Sequence, residues 1–234
     1  MQNSNIRYVP ADPSNFGSFR SAGDIQYIVI HYTGNDGDTA IANARYFQRK
    51  NLQTSAHYFV DSTEVVQSVP DLRIAWHCGS KHYLHPDCRN RNSIGVELCD
   101  DLQGGVIYPT PATIYRALVL VGALMAEYHI PADHVIRHYD VSGKLCPAYW
   151  CGTPALDVLW ESAFHGRLIS PEEGDDDVTR YQTLDDVSAA APWAVPTIEK
   201  LLAMDALRGT GDGFDLSDDM LRLLVISDRA GAFD

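Results

Sequence analysis

Residues 25–34, IQYIVIHYTG, decide the fold. The run IQYIVI is short, apolar and rich in β-branched residues, which predicts a buried strand; the chain then turns polar at His31, Tyr32, Thr33 and Gly34. Chemistry is thereby placed at a strand end. The same transition recurs downstream, where His134–Ile136 predicts a last strand running into Arg137, His138, Tyr139 and Asp140.

Between these two points the periodicity alternates between strand and helix. After the loop GNDGDT, residues 39–50 set Ile41, Ala44, Tyr46 and Phe47 at near-helical spacing, with Thr39 or Asp38 available as N-cap. AHYFVD (56–61) and EVVQS (64–68) predict a strand pair joined by a tight turn. IGVELC (94–99) predicts another buried strand, with Glu97 inside it, and a carboxylate there demands a purpose. From Pro111 to Tyr128, Ile114, Leu118, Val121, Leu124 and Met125 follow a helical period behind a Pro-Thr-Pro opening. The expected fold is α/β, a central mixed β-sheet of about five or six strands flanked by helices, with a groove at the strand ends.

With 234 residues, 45% of them hydrophobic, the chain can bury one main core and a small satellite. A net charge of -13 argues against nucleic acid and gives no general pull towards an anionic bilayer, so a neutral or basic partner is expected. The charge is uneven: residues 1–170 carry 13 basic and 16 acidic side chains, whereas residues 171–234 carry 5 and 15. The predicted organisation is a main domain over 1–166, an acidic linker over 167–190 and a small helical unit over 191–234. In that unit residues 193–207 are amphipathic, 208–214 form a Gly-rich turn and 217–225 start a second helix, which together predict a helical hairpin. No stretch reaches the roughly 18 apolar residues of a membrane span and the first residues lack an apolar leader core, so neither membrane insertion nor Sec export is expected. The five cysteines, an odd number without a regular framework, suit a reducing compartment, with a Cys78–Cys88 bridge left open.

His31 and His138 each follow a predicted strand, and Cys146 lies in the loop SGKLCP shortly after His138. Two imidazoles and a thiolate suffice for a zinc site with its fourth position left for water. Spacing alone leaves each residue equally readable as a hydrogen-bonded strand-end histidine or a small buried thiol.

The fragments IVIHYTGN, SAHYFV, IAWHCG, NSIGVELC and VIRHYDVSGKLCP resemble, in order and style, the type 2 N-acetylmuramoyl-L-alanine amidases, whose fold is shared with peptidoglycan recognition proteins and phage endolysins. The resemblance spans about residues 20–155. It implies Zn2+ held by His31, His138 and Cys146, with Lys144 donating to a developing oxyanion. It implies Glu97 as the carboxylate beside the metal, taking a proton from water and handing it to the leaving amine. Other members place a tyrosine at the SAHYFV motif, where this chain has Ala56 followed by His57, which puts any tyrosine role in doubt. Trp76 and His77 resemble the wall of the family's groove; His57 and Asn92 complete the expected substrate-binding set, Asn92 by ordering the groove loop. Tyr32 and Asp140 are expected to orient an imidazole from behind.

The implied function is hydrolysis of the lactyl–L-alanine amide of bacterial peptidoglycan, in the setting of a phage endolysin made in the host cytoplasm and reaching the wall through a holin or by lysis. A non-catalytic peptidoglycan-binding protein and an amidase of muropeptide recycling are the alternatives. Residues 191–234 resemble a single S-layer-homology-like repeat, on W-A-x-P-x-I-x-K-L, the turn RGTGDGFD and the terminal R-A-G-x-F. That implies attachment to a secondary wall polymer; a hairpin that packs on the main domain or forms a dimer stays open, as does the oligomeric state.

Overall fold

A computed structural model describes residues 6–103, 105–168, 180–204, 206–207, 213–214 and 216–229. The chain forms two compact units, residues 1–173 and 174–234.

The strands of the first unit are β1 (Arg7–Tyr8), β2 (Phe16–Phe19), β3 (Tyr27–Tyr32), β4 (Tyr58–Val60), β5 (Val65–Gln67), β6 (Arg73–Ala75), β7 (Ser93–Leu98), β8 (Asp101–Gln103), β9 (Val106–Tyr108) and β10 (Val135–Arg137). Its helices are α1 (Ala40–Tyr46), α2 (Pro111–Tyr128), α3 (His138–Ser142) and α4 (Pro154–Ala163). Six strands build the central sheet in the order β1-β5-β4-β7-β3-β10. Only the β4–β5 hairpin is antiparallel; β4, β7, β3 and β10 run the same way, which makes the sheet mixed. Strand β3 extends past its apolar run to include His31 and Tyr32, and the pairs β2–β6 and β8–β9 stand outside the central sheet.

Alternation sorts the two faces. Ile28 and Ile30 of β3, Tyr58 and Val60 of β4, and Ile94, Val96 and Leu98 of β7 share one core with the buried side of α2 and with Trp150, Trp160 and Phe164. Each such side chain taken fully out of water contributes about 1.5–3 kcal/mol. Tyr27 and Val29 face the other way, into a cluster with Cys78, Cys88 and Val141 of α3. His31, Ser93, Gly95 and Glu97 follow the same alternation and lie on this second face. All five cysteines are free thiols.

The long helix starts where Thr110 accepts the Thr113 N–H at 3.1 Å and Pro111 occupies the first turn. Thr110→Ala should therefore cost about 1 kcal/mol, read as a lower urea midpoint at unchanged slope; an unmoved midpoint would show the cap to be idle. The helix α4, for which the periodicity raised no expectation, opens on the same device, with Thr153 accepting from Leu156 N and Pro154 behind it.

In the second unit, β11 (Arg180–Tyr181) pairs antiparallel with β12 (Leu216–Ser217), and α5 (Leu184–Ala190), α6 (Val195–Ala203) and α7 (Asp218–Arg229) pack beside them. The core joins Tyr181, Val187, Ala191, Ala194, Ile198, Leu216, Leu221 and Val225. Two expectations need correction here. Residues 180–190, assigned to the linker on their charge, are folded: Thr183 and Asp186 form a capping box, and Val187 is wholly buried. The hairpin is in fact three helices and a strand pair, tied across α6 and α7 by Thr197 and Lys200, which both bond Asp228. Most of the turn at 208–214 and the last residues, 230–234, lie outside the described residues.

Candidate metal centre and groove

Parallel strands that lie side by side end on the same edge, and in open α/β sheets that edge receives ligands. Here β7, β3 and β10 deliver three polar side chains to it. The register sets His31 directly opposite Glu97, and Ile30 opposite Arg137, so that His138 follows one residue beyond. The turn from β10 into α3 is locked by Arg137: its guanidinium bonds both oxygens of Asp140 at 2.9 and 2.7 Å, Asp157 at 2.7 Å and the Trp150 carbonyl at 2.6 Å. Helix α3 closes on Gly143 in the left-handed region (φ 77°), and the Tyr139 N–H reaches the Cys146 carbonyl at 3.0 Å, folding the loop that carries Cys146 back onto the strand ends.

The donor atoms of His31, His138 and Cys146 all lie within 4.8 Å of one another, and all three residues are buried. His31 Nδ1 is 3.7 Å from Cys146 Sγ, and the two imidazoles meet at a centroid distance of 4.7 Å. Burial, with neighbouring imidazoles and Lys144, holds His31 well below the usual histidine range. Burial and then Lys144 bring His138 down to about 4. Both rings are therefore neutral, the form that can bind a metal. Burial pushes the Cys146 thiol up, Glu97 adds to this, and the Tyr32 backbone N–H opposes it. His138 Nδ1 is buried with no hydrogen-bond partner, although a polar atom in that state normally has one. A metal fits that orphaned atom and the nitrogen–nitrogen–sulfur donor set, which is one that zinc takes.

Glu97 Oε1 lies 4.0 Å from His31 Nδ1, with its side chain 21% exposed. Desolvation raises its carboxyl to about 8, against the pull of Lys144. An open groove of about 720 Å³ passes beside these residues, lined by Thr54, Trp76, Ser80, Asn90, His138 and Lys144 among others. Lys144 is exposed there, within electrostatic reach of His31, His138 and Glu97. Trp76 is half-buried, its main chain paired with Ser55 at 3.0 and 3.1 Å. Its indole backs onto Gly17, where a Cβ would come within 3.3 Å of Nε1.

Other expected positions fall elsewhere. His57 is fully buried, accepting the Gly95 N–H on Nδ1 at 2.9 Å and donating from Nε2 to the Arg73 carbonyl at 3.0 Å. Desolvation, then the Arg20 guanidinium, keeps it neutral. It ties β7 to β6 and presents nothing to a substrate. His77 touches the groove, but both of its ring nitrogens are turned inward, to His31 and Ser93. Asn92 is buried and bonds Arg89 N, Gln26 and the Asp87 carbonyl, away from the groove lining. Asp140 is bound by Arg137 rather than by an imidazole, and Tyr32 reaches Cys146 through its backbone N–H, its ring meeting Tyr149 edge-on. Ser93 and Gly95 were not singled out by the sequence; the period-two row Ser93, Gly95, Glu97 was the available signal, because small and polar residues interrupt an otherwise apolar strand.

Residues 21–149 match the family model described as N-acetylmuramoyl-L-alanine amidase. The chain belongs to that family. Among solved structures, the catalytic domain of XlyA is 31% identical, with a TM-score of 0.55, and the match covers 68% of this chain and 96% of that one. A mutant endolysin from Bacillus subtilis gives the same figures, 31% identity, TM-score 0.55, and 68% and 96% coverage. The N-acetylmuramoyl-L-alanine amidase CwlL of Bacillus licheniformis is 35% identical over 136 residues, 54% of this chain and 37% of the relative. The chain thus spans about two fifths of the length of the curated relatives it matches. As an amidase-family chain it carries the metal cluster, Glu97 and the groove within the matched segment. Among the described residues, no helix is long and apolar enough to cross a membrane.

Proposed function

We propose that this chain is a zinc-dependent N-acetylmuramoyl-L-alanine amidase, hydrolysing the amide between the muramic acid lactyl group and the first L-alanine of the stem peptide in bacterial peptidoglycan. The observation that carries this is the convergence of His31, His138 and Cys146 within 4.8 Å of one another, with Glu97 beside His31 and with His138 and Lys144 lining a groove. Bound zinc would polarise the amide carbonyl and lower the pKa of a water from about 15.7 towards 7.

The chain's own residues supply the rest. Glu97, recessed but not sealed, holds the proton taken from water and passes it to the amide nitrogen as the carbon–nitrogen bond breaks. Lys144 brings a positive charge to the side of the groove where the carbonyl oxygen becomes negative, a contribution on the order of 3 kcal/mol for a well-placed donor. The half-buried face of Trp76 offers a flat apolar wall to the lactyl group and the sugar.

The setting we propose is a phage endolysin acting on the wall after release, supported by the likeness to the Bacillus subtilis endolysin structure. For the second unit we propose attachment to a secondary wall polymer as an S-layer-homology-like repeat. Its support is a core of its own, the W-A-x-P-x-I-x-K-L sequence and an exposed Trp193 suited to stacking. Attachment raises local substrate concentration without adding chemistry.

The experiment is digestion of purified cell wall by the zinc-loaded protein, scoring new L-alanine amino termini against new reducing sugar ends, with a chelator control. Chelator-sensitive amino termini without reducing ends are expected. Wall binding with no cleavage would replace the amidase with a recognition protein of the same fold.

A further inference from the structure

We infer that His77 is a positioning residue that fixes the tautomer of His31 and leaves His31 Nδ1 bare for the metal. The inference rests on the metal-site reading above and gives a named purpose to a histidine expected on the groove wall.

The argument runs inward from an atom that can only accept. Ser93 Oγ lies 2.7 Å from the Arg89 carbonyl oxygen, so the hydroxyl proton is committed to that carbonyl. Ser93 Oγ then meets His77 Nε2, 3.2 Å away, as an acceptor, and His77 Nε2 carries the hydrogen. In a neutral imidazole the other nitrogen accepts. His77 Nδ1 is 3.0 Å from His31 Nε2, so His31 donates from Nε2, and its own Nδ1 is left with a free lone pair. That atom is the one facing Cys146 Sγ at 3.7 Å. The opposite tautomer would put a proton where the metal has to be.

Three features of the chain hold this relay. Gly95 makes room for the ring: a Cβ there would come within 2.5 Å of His77 Cγ and 2.7 Å of Nδ1, closer than side chains approach. Asn90 Oδ1 accepts the backbone N–H groups of His77 and Cys78 at 3.2 and 2.8 Å, which sets the segment bearing the ring. Asn92 Oδ1 accepts the Arg89 N–H at 2.7 Å, holding the residue whose carbonyl ends the relay. Asn92 and His77 thus both act on His31 through the direction of a chain of hydrogen bonds.

Metal ligands are usually oriented by a hydrogen bond from the second ring nitrogen, and loss of that partner lowers metal affinity about 10- to 100-fold. The test uses the full chain with two readouts. Long-range 1H–15N correlation spectra of the metal-free wild-type protein should show His31 protonated on Nε2. Competition with a chromogenic chelator should show His77→Leu binding zinc about 10- to 100-fold more weakly, with His77→Gln, whose amide oxygen can still accept from His31, recovering most of the loss. Should His77→Leu fail to fold, Ser93→Ala is read in its place, with a mixture of His31 tautomers expected in the same spectra. His31 protonated on Nδ1 in the wild-type protein, or zinc affinity of His77→Leu within twofold of wild type, overturns the inference. A wild-type chain that takes up no zinc overturns the metal reading instead, while the spectra still decide the direction of the relay.

Discussion

Replacing Cys146 with serine should strip the protein of zinc: a purified, zinc-loaded chain that holds about one ion should retain almost none after dialysis against a weak chelator. The reason is charge. His31 and His138 are both neutral in their buried positions, so the sulfur of Cys146 is the donor that becomes an anion on binding. A serine hydroxyl stays protonated there and leaves the ion with no anionic ligand of its own. Free energies of about 10–16 kcal/mol for four-ligand zinc sites put one ligand at roughly 2.5–4 kcal/mol, or about two to three decades in affinity. The fold should survive, because serine is close to cysteine in volume and Cys146, though buried, is not part of the main apolar core, so an unchanged far-UV spectrum is the control. Cys146→Asp supplies an anionic oxygen that zinc also accepts and should keep more of the metal. Full zinc retention by Cys146→Ser, with a native spectrum, would mean that the ion sits elsewhere.

The reason these residues could be found in the sequence at all is that they stand where a periodic pattern stops. A buried parallel strand is read from its apolar run, and His31, Glu97 and His138 each interrupt or directly follow such a run. Long elements were legible for the same reason: Pro111–Tyr128 has enough turns for its apolar stripe to be unmistakable, and it forms over those residues. Short elements were not. Strands of two to four residues, such as Arg7–Tyr8 and Phe16–Phe19, carry too few residues for alternation to register, and they owe their conformation to a partner strand distant in sequence. The helix Leu184–Ala190 was hidden by its own charge, although Thr183 and Asp186 spell a helix start.

The partners of His57 and His77 could not be read from the sequence for a deeper reason. A histidine looks the same in a sequence whether it faces substrate, a metal or a neighbouring strand, and only the partner decides which. For His57 the partners are Gly95 and Arg73; for His77 they are His31 and Ser93. None of these pairings follows from local spacing. Gly95 holds the one local clue, since a glycine inside an apolar strand marks a place where something approaches the backbone closely, and here that is the His77 ring.

Glu97→Gln should separate binding from turnover: the variant is expected to hold zinc as wild type does and to lose about 10²- to 10⁴-fold in the rate of amide hydrolysis. The glutamine keeps the shape of the side chain beside His31 and removes only the ability to carry a proton. Two transfers depend on it. In the proposed mechanism, as the water oxygen bonds to the lactyl carbonyl carbon its proton would pass to the carboxylate; as the carbon–nitrogen bond breaks, that proton would pass to the nitrogen of L-alanine, and the carboxylate would be restored. A group that must start deprotonated gives a rate that rises with pH through its own pKa. Burial lifts the Glu97 carboxyl to about 8 when no metal is present, and a cation nearby stabilises the carboxylate, so the acid limb of kcat/KM should fall below about 8 and above the ordinary glutamate range. The same limb should vanish from the residual activity of Glu97→Gln. Steady-state rates on a soluble muropeptide over pH 5–9, alongside zinc content, are the measurement. Wild-type turnover by a zinc-replete Glu97→Gln would remove the carboxylate from the mechanism and leave the proton to be carried by another group on the groove; loss of zinc together with activity would make Glu97 part of the metal site rather than the base beside it.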